Sequence, residues 1–214
     1  MPDPFPTLIA EARAFLAELG AQNNRDWFNA QKSRYEAHLK TPATLLLEQV
    51  AHDLGRDWDM TLTPKLFRPQ RDVRFSKDKT PYHTHLHMMW TLSEGNKPAL
   101  FFGIAPGYVT VGGGVMGFDK PALLRWREAV GGAEGDGIAA ELERLAEVGF
   151  APHEPQLKRV PAPYPKDHPR ADLLRHKGLA VWSALPEAQW PTPLSATKQE
   201  FGQLRELMTV LADI

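Results

Sequence analysis

Residues 83–111, HTHLHMMWTLSEGNKPALFFGIAPGYVTV, decide the fold class. Three short β-rich runs lie within them, His83 to Leu92, Leu100 to Ala105 and Tyr108 to Val111. Pro106-Gly107 joins the last two and is hairpin chemistry. Connections this short favour antiparallel pairing, because a parallel crossover takes a dozen or more residues. Just upstream, Arg71 to Ser76 reads as a further strand, with Val73 and Phe75 on an apolar face and Asp72, Arg74 and Ser76 on the other.

Outward from this stretch the period becomes helical. On the N-terminal side, Leu8, Ala12, Phe15, Leu16 and Leu19 recur at helix spacing, with Gly20 as the stop. Asn24 caps a second helix carrying Trp27, Phe28, Gln31 and Tyr35. Thr41-Pro42 starts a third, with Leu46, Val50 and Leu54 inward and Gly55 closing it. On the C-terminal side, Asp119 caps a helix with Leu123, Leu124 and Trp126, and Ile138, Leu142 and Leu145 mark another. Asp167 caps a short helix through Leu173, Leu174 and Lys177, and a last one begins near Ser195, with Thr197 and Glu200 as its capping box. The expectation is an α+β fold, a central antiparallel sheet flanked by N-terminal and C-terminal helices, with residues 1–214 as one domain.

Composition bounds the function. The chain has no cysteine, which excludes disulfides, zinc–thiolate sites, iron–sulfur clusters and thiol catalysis. Met1-Pro2-Asp3-Pro4-Phe5 lacks the basic start and apolar run of a secretory signal, and no stretch approaches the roughly 18–20 apolar residues of a membrane span. A cytoplasmic protein without a membrane partner is expected. The net charge of −1 and a pI near 6.7 argue against a surface built throughout for nucleic acid, and leave room for a local basic patch.

That patch is residues 65–79, KLFRPQRDVRFSKDK, where six basic side chains oppose only Asp72 and Asp78. Guanidinium forks at Arg71 and Arg74 match phosphate or carboxylate oxygens, and Lys77 and Lys79 add point charges. The competing reading is an internal ion pair between Arg74 and Asp72 with solvated lysines around it.

The run from Arg71 to Tyr82, RDVRFSKDKTPY, resembles the signature of a widespread microbial family of uncharacterised proteins, domain of unknown function 2461. Asn23-Asn24-Arg25-Asp26-Trp27-Phe28 fits the same resemblance, as do Tyr164-Pro165-Lys166-Asp167-His168-Pro169, Leu174 and Lys177. The likeness runs from about Phe15 to about Lys177 and implies one architecture in which these three stretches belong together. It brings no activity, substrate or cofactor with it.

Side by side, the three stretches offer Trp27 as an aromatic platform, Arg71, Arg74, Lys77 and Lys79 as cations, and Tyr82 and His168 as candidate proton donors or acceptors. His168 is equally ordinary as a first-turn residue of a capped helix. His83, His85 and His87 alternate and share a face, but along an extended strand the outer two lie about 13 Å apart, so a metal site would use only two of them, with a carboxylate or His168 from elsewhere. No metal and no cofactor are predicted. Gly112-Gly113-Gly114 lacks the Gly-Lys-Ser/Thr ending of a P-loop and reads as a place where the sheet bends or another backbone approaches closely. Three functions stay open: a small anionic ligand bound by the basic motif, a structural motif locked by internal ion pairs, and a nucleic-acid-binding module using Phe67, Phe75 and Tyr82.

Overall fold

The computed structural model describes residues 3–92 and 98–214, so Met1 and Pro2 of the N-terminal expectation lie outside the described residues. The fold is α+β. Among the described residues six strands form one antiparallel sheet in the order β1-β2-β3-β4-β6-β5: β1 Leu62–Leu66, β2 Leu86–Leu92, β3 Ala99–Ala105, β4 Tyr108–Val115, β5 Ala151–Pro152 and β6 Leu179–Ala184. Both edge strands carry a proline, Pro64 and Pro152, which fits an edge because proline has no N–H for a neighbour. The same prolines hide β1 and β5 from a reading by propensity, and β6 follows Gly178 without period-two alternation. No helix among the described residues is long and apolar enough to cross a membrane.

The chain divides into two compact units. The first comprises Met1–Trp90, Phe101–Val111 and Ala184–Glu200. It holds α1 (Leu8–Ala21), α2 (Arg25–Ala30), α3 (Lys32–Tyr35) and α4 (Thr41–Trp58). α1 buries Leu8, Ile9, Ala12, Phe15, Leu16 and Leu19, and α4 buries Ala43, Leu46, Leu47, Val50, Leu54 and Trp58. Leu86, Met88 and Trp90 are buried on alternate positions of β2, and the Trp90 indole donates to the Leu47 carbonyl at 2.9 Å. The intervening His87 and Met89 are half-buried on the other face.

Two helix boundaries differ from expectation. Thr41-Pro42 is no fresh start: α3 runs into α4 through one wide turn, Glu36–Lys40, in which the Thr41 N–H reaches back to the Glu36 carbonyl. Pro42 has no N–H to donate, so the ladder widens to accommodate it instead of breaking. Gly20 and Gly55 both lie inside helices, and α4 closes at Asp59, whose left-handed φ of 54° lets its N–H cap the Gly55 carbonyl.

The second unit comprises Thr91–Leu100, Gly112–Ser183 and Phe201–Ile214. In it α5 (Lys120–Gly131) is capped as expected by Asp119, which accepts from the Ala122 N–H at 2.8 Å. α6 (Gly135–Glu147) and α9 (Arg205–Asp213) complete its helical part with a single turn, α7 (Ala171–Leu174). A Cβ on Gly112 would lie 2.4 Å from the Val181 carbonyl, and one on Gly114 2.1 Å from that of Leu179. The glycine run therefore serves close approach of β4 to β6.

The last long helix, α8, spans Pro193–Gln203 and starts two residues before Ser195. Its Thr197 is fully buried, not a cap. The cap comes from the far end of the chain: Asp3 Oδ2 accepts from the N–H groups of Leu194 at 3.0 Å and Ser195 at 3.2 Å. Such a cap leaves no local spacing signal. Replacing Asp3 by alanine strands both donors, and chemical denaturation should show a loss of about 1 kcal/mol.

Candidate functional site

Residues 70–82 leave the sheet as a loop closed at its neck. Gln70 and Tyr82 form an antiparallel bridge, flanked by Arg71 N–H to the Pro81 carbonyl at 2.9 Å and His83 N–H to the Pro69 carbonyl at 2.7 Å. The strand expected over Arg71 to Ser76 is absent. Asp72 Oδ1 accepts from the Arg74 N–H at 3.2 Å, and the chain turns back so that the Ser76 N–H reaches the Val73 carbonyl at 3.3 Å. This side-chain turn competes with extension. Phe75, expected on a core-facing side, stands 97% exposed at the tip.

The four cations expected to bind a ligand have separate environments. Arg71, with a side chain only 22% exposed, donates to Asp78 at 2.6 Å, to the Thr80 carbonyl at 3.0 Å and to the Thr80 hydroxyl. The Thr80 N–H, Arg71 and the Thr80 hydroxyl together hold the Asp78 carboxyl down to about 2. Arg74 is 77% exposed and forks onto Asp72, with contacts of 2.6–3.2 Å. That hydrogen bonding lowers the Asp72 pKa, helped by the charge of Arg68. Lys79 donates to the Val73 carbonyl at 3.0 Å, and Lys77 is exposed.

The neck is held by the first motif. Asn23 donates its side-chain N–H to the Tyr82 carbonyl at 2.9 Å, and its Oδ1 accepts from the Tyr82 N–H at 3.1 Å. Asn24 caps α2 as expected, through the Trp27 N–H at 2.9 Å. Tyr82 is buried with its ring stacked on Phe28, centroids 4.1 Å apart. Trp27 leans on Phe15 at 5.4 Å.

Beside the neck a groove of about 380 Å³ opens between α2–α4 and residues 66–70. Phe28, Tyr35, Leu66 and Phe67 form its apolar lining, and Lys32, Lys40 and Arg68 bring positive charge. Glu36 holds Lys40 at 2.9–3.1 Å. Among the described residues, Lys32 and Arg68 form no ion pair, although the Asp72 carboxylate feels the charge of Arg68. Burial pushes the Tyr35 phenol up to about 12, aided by Glu36, so it stays a neutral hydroxyl. Lys32, Tyr35 and Arg68 were not among the expected site residues. Sequence reading takes Phe28 and Tyr35 as apolar positions of one helix and passes over Lys32 between them; in the structure Phe28 is on α2 and Lys32 and Tyr35 are on α3.

A family model described as a conserved hypothetical protein (DUF2461) matches residues 11–209. The chain belongs to this family. No curated protein and no solved structure matches it. Both N-terminal stretches that carry the DUF2461 likeness meet at the Asn23–Tyr82 neck.

His83 and His85, which precede β2, and His87 within it form a stack. A bend at Thr84-His85 compresses the segment, so the spacing expected from full extension does not apply. Ring centroids of His83 and His85 lie 4.7 Å apart, and those of His85 and His87 3.8 Å. His87 Nε2 bonds the Tyr108 hydroxyl at 2.8 Å, and a Cβ on Gly103 would come within 3.2 Å of its ring. Burial lowers all three pKa values. Arg71 and Arg68 add to the effect at His83, His83 adds to it at His85, and both neighbours bring His87 to about 4. Among the described residues no group of three or more His, Asp or Glu is placed to hold a metal ion.

In the second unit the DUF2461 stretch around His168 closes a helix end. Asp167 caps nothing; instead His168 Nδ1 accepts from the Arg170 N–H at 3.0 Å. Tyr164 donates its hydroxyl to the Arg127 carbonyl at 2.8 Å, and Arg170 donates to the carbonyls of Val130 at 2.5 Å and Gly132 at 3.0 Å and to Asp136. Val130 is one of the last four residues of α5, whose carbonyls have no partner within the helix, and Gly132 is its C-cap. Pro169 disfavours helical geometry at the preceding His168, and α7 begins only at Ala171.

Two predictions follow from these contacts. Asn23→Ala leaves both polar groups of the Tyr82 peptide unpaired in a half-buried setting, and denaturant titration should show a loss of about 1–3 kcal/mol. The stacked histidines bind protons more readily unfolded, near 6.5, than folded, so stability should be full above pH 6.5 and fall as pH drops toward 4. His87→Gln should flatten that slope by about one proton around pH 5. His176, lowered by burial in the second unit, titrates in both proteins and drops out of the difference.

Proposed function

We propose that the first unit binds a small ligand with an apolar body and one anionic group, phosphate or carboxylate, in the groove over Phe28 and Tyr35. One observation carries this reading: Lys32, Lys40 and Arg68 line a largely apolar groove in which, among the described lining residues, Glu36 is the one carboxylate and is bonded to Lys40. A groove of about 380 Å³ suits a metabolite rather than a polymer. An ammonium and a guanidinium supply a point charge and a fork for the same anion. The exposed Arg74 and Lys77 of the adjoining loop extend the positive field, and a solvent-exposed pair such as Arg74–Asp72 opens at little cost.

In this reading Arg71 and Lys79 keep the loop in shape, and Tyr82 supports Phe28 from behind. It assigns binding and no bond-breaking step. The half-buried network of Arg71 favours a structural role for that residue in particular. We also propose a cytoplasmic location, with which a cysteine-free chain is compatible.

Thermal-shift measurement against phosphorylated and carboxylated metabolites tests the groove. A true ligand at 100 times its dissociation constant adds about 2.7 kcal/mol of stability. Arg68→Ala and Lys32→Ala should each weaken that ligand about tenfold, as expected for a lost charge-assisted contact, without unfolding the protein. Shifts that survive both substitutions, or a panel that yields none, would overturn the proposal.

A further inference from the structure

Phe75 has no place in the groove and none in the core, yet considerable structure goes into presenting it. The neck bridge, the Arg71–Asp78–Thr80 network, the Lys79 bond to Val73 and the Asp72 turn brace the loop whose tip it occupies. A phenyl ring held 97% exposed on a braced loop contributes no burial to folding. The same stretch exposes a second ring, Phe67, at 39%, at the edge it shares with the groove lining. Each ring has a cation close to it: Lys65 Nζ lies 4.8 Å from the Phe67 centroid, and the Arg74 guanidinium 5.9 Å from that of Phe75.

We infer that the exposed side of residues 65–79 is a binding strip for single-stranded nucleic acid, with Phe67 and Phe75 stacking on bases and Lys65, Arg74 and Lys77 meeting phosphates. Unpaired bases stack on exposed aromatic rings whatever their sequence, and the backbone follows the adjacent cations. The two carboxylates of the strip do not oppose this, because Asp78 is held by Arg71 and Asp72 by Arg74. When Arg74 turns to a phosphate, the Asp72 carboxylate stays in water and close to Arg68.

The placement of the cations separates this partner from a lipid surface. A phenyl ring that anchors in a bilayer sinks below the headgroups, and these rings would draw a charge toward the hydrocarbon with them. Beside a stacked base the same charge lies level with the phosphates. A duplex fits poorly, because its base faces are already stacked and a net charge of −1 provides no broad cationic face.

Fluorescence anisotropy with a labelled oligothymidylate tests the strip, with a duplex of equal length and phosphatidylserine vesicles as separate arms. Three phosphate contacts give a log–log salt slope of about −2 on single strands. Phe75→Ala should weaken oligothymidylate about tenfold, within the range for one stacked base, and Phe75→Trp should restore it. Lys77→Ala should reduce the slope by about 0.7. Phe75 makes no core contact, so a thermal melt of the alanine variant should match the parent.

No binding at low salt, equal binding of the duplex, or indifference to Phe75→Ala would each overturn the inference. Vesicle binding that depends on Phe75, without oligonucleotide binding, would reassign the strip to lipid. Small-ligand shifts measured on the same Phe75→Ala protein keep the groove reading separate, since Phe75 does not line the groove.

Discussion

The side-chain amide of Asn23 does for the Tyr82 peptide what a neighbouring strand would do, giving a donor to its carbonyl and an acceptor to its N–H. Only a side chain with both functions on one planar group can satisfy a peptide from the side in this way. The geometry fixes the distance between the α1–α2 connection and the loop neck. It thereby sets the Phe28–Tyr82 stack and, with it, the floor of the groove. An aspartate would accept but not donate, and would leave the carbonyl stranded. The next residue, Asn24, uses the same chemistry on a helix terminus, so two adjacent amides orient α2 against the loop.

Within the loop, exposure sorts chemically identical groups into different roles. Arg71 and Arg74 are three residues apart and each faces an aspartate. Arg71 is mostly enclosed and adds two Thr80 oxygens to its carboxylate, which makes it a brace. Arg74 is largely in water, where its pair with Asp72 competes with solvent and salt. The brace gives the loop one shape, while the surface pair leaves a guanidinium that an external anion can recruit. Ligand and nucleic-acid readings both draw on this division of labour.

What was legible in the sequence followed from local chemistry. The antiparallel hairpin at Pro106-Gly107, the Asn24 and Asp119 caps and the close backbone approach at Gly112 to Gly114 depend on a few adjacent residues, and all are present. What was not legible depended on partners far along the chain. Asp3 caps a helix that begins at residue 193, and Asn23 meets Tyr82 across 59 residues. Arg71 to Ser76 has the alternation of a strand, but that pattern says nothing of whether Asp72 will accept from its own backbone two residues on, and this bond decides the turn. For the site, the basic window was visible, whereas the groove was not. Lys32 and Arg68 acquire meaning only when α3 and the segment after β1 are placed side by side.

The histidine stack bears on the same field from the opposite direction. Arg68 and Arg71 both depress the pKa of His83, so their charges reach the top of the stack. Held neutral, His85 and His87 can sit face to face at 3.8 Å while His83 feels the two guanidinium charges. Protonation of any one of them would strengthen the positive potential that draws an anion, and it would also set like charges against each other within the sheet. The two consequences oppose: acid makes the surface more attractive to anions while loosening the strand that carries the loop. A neutral stack resolves the conflict by leaving anion recognition to lysine and arginine, whose charges do not change near neutrality. Burial of the His87 ring, for which Gly103 leaves room, and the neighbouring His85 and His83 are the local means by which the fold keeps it so.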